Sequence, residues 1–287
     1  MKRKSFAKVN LALDVVKRLE SGYHSLDMIM APIDLFDTIE ITPHSNMEFT
    51  SNRPFLAWNE KNSIYQALTL IKEKYQIDTN FKIRLMKNIP SRSGLGGGSS
   101  NAATVINILN ELLKLKMSKQ DKLEIALKCG ADVPYCLFGK PAQVSGIGEK
   151  IIGFDFKTDF WMFLVKPNLG VSTKEAFATI NFSELLHPNI NQVKKALENN
   201  DYQLFINEIG NSLEASAALL GVPVTKIKND LVSFGFDKVV MSGSGSSMIG
   251  FTQDEKLVDQ AVNHYFLKYS FVKKTKIILD TNQVSLL

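Results

Sequence analysis

The sequence has few of the residues that hold structural metal ions or form disulfides. Cys129 and Cys136 are its only cysteines, and its four histidines are dispersed along the chain. Their spacing matches no zinc-binding pattern, so we expect no metal site built from protein ligands alone. Two isolated cysteines are more typical of reduced structural thiols, which predicts a protein of the reducing cytoplasm.

Long apolar runs are also missing. The longest strong one, FWMFLV at residues 160–165, is far shorter than the roughly 18 residues of a membrane span and is typical of a buried strand. The basic start of the chain resembles the first part of a signal peptide. However, Lys8, Asn10 and Asp14 interrupt the apolar stretch that follows. We therefore expect neither an export signal nor a membrane partner.

Charge of one sign is only mildly in excess. The 287 residues include 34 Lys+Arg and 29 Asp+Glu, a formal net charge of +5. The lysines are scattered among acids, and the sequence has no aromatic-rich RNA motif and no concentrated basic stripe. We therefore expect no nucleic-acid partner, and we interpret most of the excess as a solvated surface.

The apolar pattern predicts a mixture of strands and helices. Residues 5–16 alternate as a strand that has one apolar face and carries Lys8 and Asn10 on the other face. Further strands are predicted at residues 28–35, 37–42, 81–86, 160–165, 238–241 and 274–279. Helices are predicted at residues 64–75 with Asn62 or Ser63 as the cap, and at 99–115, 119–128, 173–180, 190–199, 202–219, 224–233 and 255–265. The polar stretch 153–159 predicts a boundary between domains at residues 1–155 and 156–287.

A glycine-rich segment, PSRSGLGGGSS at residues 90–100, lies between a predicted strand and a predicted buried helix. Without Cβ atoms, consecutive N–H groups can converge on phosphate oxygens. The helix that follows adds unpaired N–H groups and the positive end of its dipole. Ser99 and Ser100 can cap this helix and offer hydroxyl groups to phosphate or to a magnesium ion. The segment therefore favours binding of a phosphate group.

Two better-known phosphate motifs do not match this segment. A P-loop requires lysine after its last glycine, and the dinucleotide-binding spacing requires a third glycine there, whereas this chain has Ser99. A flexible linker is the alternative interpretation. It is disfavoured because linkers are seldom flanked so tightly by a strand and a buried helix.

The segment strongly resembles the ATP loop of the GHMP kinases, the superfamily of galactokinase, homoserine kinase and mevalonate kinase. Three further parts of the chain follow the order of that family: residues 7–11 with 22–24, residues 130–134 with 146–149, and residues 241–247. They resemble the branch whose acceptor is a sugar alcohol linked to cytidine diphosphate, in the non-mevalonate isoprenoid pathway. Ser91-Arg92-Ser93 departs from the small, often glycine-containing stretch expected there, and we assign Arg92 no catalytic role.

The resemblance implies an α+β fold of two domains. A β-rich N-terminal ATP-binding domain and a C-terminal domain of helices and strands would enclose the active site in the cleft between them. It also implies ATP and Mg²⁺ as cofactors, and a small-molecule acceptor. The oligomeric state is left open between a monomer and a homodimer. The ATP-binding residues that it implies are Pro90, Ser91, Arg92, Ser93, Gly94, Leu95, Gly96, Gly97, Gly98, Ser99 and Ser100.

The catalytic residues implied by the resemblance are Lys8 and Asp132. Asp132 would accept the proton of the acceptor hydroxyl or orient that hydroxyl, and Lys8 would keep Asp132 ionised and stabilise charge on the transferred group. From the residues alone, Asp132 could equally cap a turn before Pro134. Lys8 alone would be an ordinary strand lysine.

The acceptor-binding residues implied by the resemblance are Asn10, Tyr23, His24 and Phe177. Tyr23 would stack on the cytosine, and His24 would hydrogen-bond to its polar edge. Phe177 would form the opposite face of the stack, although a core position is an equal alternative. Mevalonate, phosphomevalonate and homoserine are disfavoured as acceptors because they carry no base to stack. The turn at residues 242–246 should close over the site, although a simple hairpin turn would also explain its glycines.

Overall fold

Two β-sheets form the framework of the protein, which a computed structural model describes over residues 1–157 and 159–284. The strands of the first sheet are β1 (Lys2–Arg18), β2 (His24–His44), β3 (Glu48–Ser51), β4 (Asn80–Met86), β5 (Ala142–Gly146) and β6 (Lys150–Gly153). They are ordered β3-β4-β2-β5-β6, and β1 pairs with β2. The β3–β4 pair is parallel and the other pairs are antiparallel.

The long strand β2 differs from the sequence-based expectation of two separate strands at 28–35 and 37–42. It remains continuous because β1 pairs with it from Lys2 opposite Glu40 to Arg18 opposite His24. Irregularities in the pairing register of β1 with β2 shift the alternation of side chains without ending either strand.

The second sheet contains β7 (Trp161–Lys166), β8 (Lys238–Met241), β9 (Met248–Thr252) and β10 (Phe271–Thr275). Its order is β10-β7-β9-β8, and every pair is antiparallel. The strand predicted at 274–279 is therefore wrong in its position. The apolar residue Ile277 is part of the pattern that predicts a strand here. However, it is buried beside the first sheet and makes only an isolated bridge to Ile33.

Helices pack on the two sheets. They are α1 (Ser63–Tyr75), α2 (Gly97–Leu112), α3 (Lys119–Cys129), α4 (Val133–Phe138), α5 (Thr173–Ala178), α6 (Ile190–Asn199), α7 (Tyr202–Glu208), α8 (Glu214–Leu219), α9 (Val224–Phe234), α10 (Glu255–Tyr265) and α11 (Thr281–Val284), with a short 3-10 turn at Phe182–Glu184. Among the described residues, none of these helices is both long and apolar enough to cross a membrane. The α+β class predicted from the sequence is confirmed.

The single helix predicted at residues 202–219 is two helices, α7 and α8. The chain between them contacts β1, where the Leu13 N–H donates to the Gly210 carbonyl at 3.0 Å. The side-chain oxygen of Asn211 accepts a hydrogen bond from the N–H of Leu213 at 2.8 Å. These contacts replace the hydrogen bonds that a continuous helix would make here. The segment is therefore not helical, although the apolar periodicity of the sequence continues through it.

Local capping explains where two of the helices begin and end. The side chain of Asn62 accepts from the N–H of Ile64 at 3.0 Å and starts α1. Ser118 and Asp121 form a capping box at the start of α3, and Gly130 follows its last residue. The predicted cap at Asn62 is thus confirmed.

The hydrophobic core joins the two halves of the chain. One buried cluster combines Ala7, Val9 and Leu11 of β1 with Met162 and Leu164 of β7. The division into domains at 1–155 and 156–287 stays a prediction. Thr158, in the predicted boundary stretch, and the last three residues of the predicted C-terminal domain lie outside the described residues.

A buried ion pair anchors the start of the glycine-rich segment. The carboxylate of Asp37 in β2 is fully buried and lies 2.5 Å from Nζ of Lys87. Its other oxygen accepts from the N–H groups of Asn88 at 2.7 Å and Ile89 at 2.8 Å. Burial lowers the pKa of Lys87, and the negative charge of Asp37 opposes that change. Asp37 thereby fixes the backbone immediately before residue 90.

Replacing Asp37 tests this anchor. Asp37→Asn should lower the free energy of unfolding by roughly 3–5 kcal/mol, because it leaves the buried Lys87 without its negative partner. Glu40→Gln on the same strand is the control, since its ion pair with Arg84 is exposed and 3.7 Å long. It should cost less than about 1 kcal/mol in the same denaturant titration. Equal stability of the two variants would contradict the anchoring role.

Candidate active site

A cavity of about 460 Å³ lies where the glycine-rich segment meets β1 and the turn after β8. Lys8, Asn10 and Asp132 line it together with residues 90–99 of the segment. Ser100 does not line this cavity, because its hydroxyl lies 2.8 Å from that of Ser5 and contacts β1 instead. The structure therefore brings together the predicted catalytic residues and all of the predicted ATP-binding residues except Ser100.

The glycine-rich segment leads directly into the N-terminus of α2. The backbone of Gly94 and Gly96 is left-handed, with φ of 76° and 65°. The helix begins at Gly97, and no side chain caps it. The expectation that Ser99 or Ser100 is the cap is wrong, because both serines already lie within the first turn. Uncapped N–H groups and the helix dipole favour an anion at this end of the helix.

The turn at residues 242–247 packs against the glycine-rich segment. The Ser247 N–H donates to the Ser93 carbonyl at 3.1 Å, and the Ser242 hydroxyl donates to the Gly94 carbonyl at 3.2 Å. Gly243 and Ser244 line the same cavity. This turn of the C-terminal half thus forms one wall of the site, as the sequence predicts.

Lys8 and Asp132 form an ion pair inside the cavity. The distance from Lys8 Nζ to Asp132 Oδ2 is 3.2 Å, and Lys8 Nζ also donates to Asn10 Oδ1 at 2.7 Å. The side chain of Lys8 is only 5% exposed, whereas that of Asp132 is 38% exposed. Asp132 occupies the N-cap position of α4 but makes no capping hydrogen bond. The turn-capping alternative for Asp132 therefore does not describe its side chain, which faces a lysine and remains accessible to a ligand.

An aromatic cavity of about 770 Å³ adjoins the first one. The two cavities share Phe177 and Ala131, and the aromatic cavity is also lined by Tyr23 and His24. The side chain of Tyr23 is exposed. Asn10 lines the first cavity, so the predicted acceptor-binding residues are distributed over two connected spaces.

Phe177 stacks on His24 within the aromatic cavity. The ring centroids of His24 and Phe177 are 5.1 Å apart at an interplanar angle of 26°, and Phe182 stacks on His24 at 5.8 Å and 19°. Burial lowers the pKa of His24, and Arg18 lowers it further. The lowered pKa favours the neutral imidazole, which can both donate and accept a hydrogen bond. Phe177 lines the aromatic cavity and also packs against a buried cluster, and its role in binding the acceptor stays a prediction.

Two residues that line the first cavity are not predicted as site residues from the sequence. Lys87 lines the first cavity, and its ammonium group packs beside Gly97. Ser63 also lines the cavity, and its hydroxyl donates to the Gly98 carbonyl at 2.7 Å. Both residues flank elements that the apolar pattern does locate. However, nothing in that pattern indicates that β4 and α1 meet at the glycine-rich segment.

Family models place the chain among known proteins. The model of the GHMP kinases N terminal domain matches residues 62–140, and that of the GHMP kinases C terminal domain matches residues 193–269. The chain belongs to the GHMP kinase family, as the sequence motifs predict.

Two curated relatives with the same name are similar to this chain over most of its length. The chain is 38% identical to the 4-diphosphocytidyl-2-C-methyl-D-erythritol kinase of Bacillus velezensis over 91% of each chain. It is 38% identical to the protein of that name from Clostridium beijerinckii, over 97% of this chain and 100% of the relative.

Solved structures agree with these relatives. A crystal structure of 4-(cytidine 5'-diphospho)-2C-methyl-D-erythritol kinase superposes with a TM-score of 0.81 and 28% identity, covering 96% of this chain and 99% of that one. A homoserine kinase from Cytophaga hutchinsonii superposes with a TM-score of 0.75 at 20% identity, covering 98% and 96% of the two chains. The latter similarity concerns the fold alone.

The contact between the glycine-rich segment and the 242–247 turn can be tested by adding one methyl group. A Cβ at Gly94 would overlap the carbonyl oxygen of Ser242, and the residue has a positive φ. Gly94→Ala should therefore destabilise the protein by at least about 1–3 kcal/mol. At Gly98 a Cβ would meet only the Ser63 hydroxyl, at 3.4 Å, within a helix. Gly98→Ala should change the free energy of unfolding by no more than about 1 kcal/mol. Equal stability of Gly94→Ala and the unchanged protein would disprove the close approach.

Proposed function

We propose that this protein transfers the terminal phosphoryl group of ATP to the 2-hydroxyl group of 4-diphosphocytidyl-2-C-methyl-D-erythritol, a step of the non-mevalonate isoprenoid pathway. The observation that carries the proposal is the 3.2 Å ion pair of Lys8 and Asp132, in a cavity that the glycine-rich segment also lines. The adjoining aromatic cavity and the shared name of the curated relatives support the identity of the acceptor.

The glycine-rich segment supplies the site for the phosphates of ATP. Unpaired N–H groups at the start of α2 would donate to the phosphate oxygens, and the helix dipole would add to the attraction. Lys87 would contribute positive charge close to Gly97. Asp37 and the 242–247 turn hold the segment from two sides, so its N–H groups are oriented before ATP binds.

Asp132 and Lys8 would act on the hydroxyl group and the transferred phosphoryl group. The carboxylate of Asp132 would accept the proton of the acceptor hydroxyl or orient that hydroxyl. The hydroxyl oxygen would form a bond to the γ-phosphorus while the bond from that phosphorus to the β–γ bridging oxygen breaks. Lys8 would keep Asp132 ionised and stabilise the negative charge on the phosphoryl oxygens. Asn10 would hold the Lys8 ammonium group and contact the alcohol part of the acceptor.

Magnesium fits this site as a partner of ATP. Over residues 1–157 and 159–284 there is no group of three or more His, Cys, Asp or Glu side chains that could hold a metal ion. The cavity does contain the Ser99 hydroxyl and the Asp132 carboxylate. Mg²⁺ commonly binds through phosphate oxygens, water and only one or two protein ligands, and the donors present match that pattern. Ser99 would hold the ion, which would neutralise part of the phosphate charge.

The aromatic cavity accounts for a cytidine acceptor. Tyr23 and Phe177 would stack on the base, and the neutral imidazole of His24 would hydrogen-bond to its polar edge. Homoserine and mevalonate have no ring to occupy such a cavity. An assay of ADP release with and without the cytidine acceptor tests the assignment. Acceptor-dependent release is expected, and release that ignores the acceptor would refute it.

We further propose a cytoplasmic location, a small-molecule acceptor rather than nucleic acid, and a monomer or homodimer. Cys129 and Cys136 are both free. Burial raises the pKa of the Cys129 thiol to about 11, which makes it a poor nucleophile and suits a structural thiol in a reducing compartment.

Substitutions at the ion pair test the catalytic roles. Asp132→Asn and Lys8→Ala should each lower kcat by about 10²- to 10⁴-fold, because each removes a group that acts in the transition state. Asp155→Asn is the control, since that carboxylate is 82% exposed and should leave kcat unchanged. Thermal unfolding should show that all three variants remain folded. Unchanged turnover in either of the first two would remove that residue from the mechanism.

A substitution at Tyr23 tests the stacking. Tyr23→Ala should raise the KM for the cytidine acceptor by about 5- to 150-fold, which corresponds to roughly 1–3 kcal/mol of base stacking. The effect on kcat should be smaller because stacking acts equally on the ground and transition states. Tyr23→Phe keeps the ring and should keep the KM within about twofold. A similar KM for all three forms in steady-state assays would rule out the stack.

A further inference from the structure

A second cavity, of about 370 Å³, lies beside α2 and adjoins the active-site cavity. It is enclosed by β1, α2 and α4 and by Lys122 of α3, and Lys8 is the residue that both cavities share. Its volume falls within the range of small-molecule sites. We call it the basic cavity and define it by Arg3, Lys4, Asn107 and Lys122, which line it.

The basic cavity has more positive than negative charge. Arg3 is neutralised by Glu111 at 3.0 Å, and Lys8 is paired with Asp132. Lys4 instead lies over the ring of Phe36, 4.8 Å from its centroid. Lys122 donates to the neutral amide oxygen of Asn107 at 3.0 Å. Neither Lys4 nor Lys122 forms an ion pair within the part of the chain that the structure describes.

Lys122 is also partly removed from water. It is only partly exposed, and burial lowers its pKa. Holding a cation in a concave, half-buried place without an anion is unfavourable. A bound anion would relieve this cost and would receive charge-assisted hydrogen bonds.

Neutral donors and an apolar wall complete the basic cavity. The side-chain oxygen of Asn110 accepts from the Met117 N–H at 2.8 Å, which leaves its NH₂ group available to a ligand. Phe6 and Tyr135 are buried and also line the basic cavity. A compact ligand with a charged end and a less polar remainder matches this distribution.

We propose that the basic cavity is a second anion site, separate from the ATP loop, that binds a small phosphate-bearing molecule with Lys4 and Lys122 as its charged ligands.

Calorimetric titration with inorganic diphosphate tests this site. The full chain is first saturated with a non-hydrolysable ATP analogue, without added divalent metal, so that the glycine-rich segment is filled. One further equivalent of diphosphate should then bind. Lys122→Met should weaken this binding about tenfold or more because it removes a charged donor. Lys4→Met should weaken it as well, which keeps the test valid if one variant fails to fold in a thermal unfolding control.

Lys119→Met is the matched control, since Lys119 is exposed on the same helix, does not line the basic cavity and carries the same charge. It should bind diphosphate as the unchanged protein does. Loss of all diphosphate binding once the ATP analogue is present would assign the anion to the glycine-rich segment alone and overturn the proposal. Equal weakening by Lys119→Met and Lys122→Met would show diffuse surface attraction and would also overturn it.

Discussion

The ammonium group of Lys8 lies between Asn10 Oδ1 at 2.7 Å and Asp132 Oδ2 at 3.2 Å, and the rest of the site is arranged around it. A buried lysine is stable as a cation only when an opposite charge and hydrogen-bond acceptors are held next to it. Here the partners come from the same strand and from the start of α4. The fold must therefore hold the start of α4 against β1 for this ion pair to form.

The glycine-rich segment is positioned by contacts just before it and within its first half. Asp37 binds the backbone just before the segment, and the 242–247 turn donates hydrogen bonds to the carbonyl groups of Ser93 and Gly94. The first contact belongs to the N-terminal sheet and the second to the C-terminal half. A glycine sequence that would be mobile in isolation is thus held in one conformation, which reduces the entropy lost when ATP binds.

The fold was predictable wherever local periodicity or capping determines structure. The helix after Asn62, the end of α3 at Gly130 and the strand at Lys238–Met241 follow from neighbouring residues. The failures occur where distant contacts override the local pattern. Gly210 and Ser212 hydrogen-bond to Leu13 of β1 and divide a periodic stretch into two helices, and pairing with β7 places β10 earlier than the apolar residues indicate.

The features of the candidate site also separate into those set by the local sequence and those set by distant contacts. The sequence by itself determined the glycine-rich segment, the presence of Lys8 and Asn10 on one strand face and the family, because glycine content, alternation and motif order are local properties. Only the tertiary structure decided that Lys8 meets Asp132, that Phe177 stacks on His24, that Ser100 faces away and that Lys87 joins the cavity. These are contacts between residues far apart in the chain, and their geometry depends on how whole strands and helices pack.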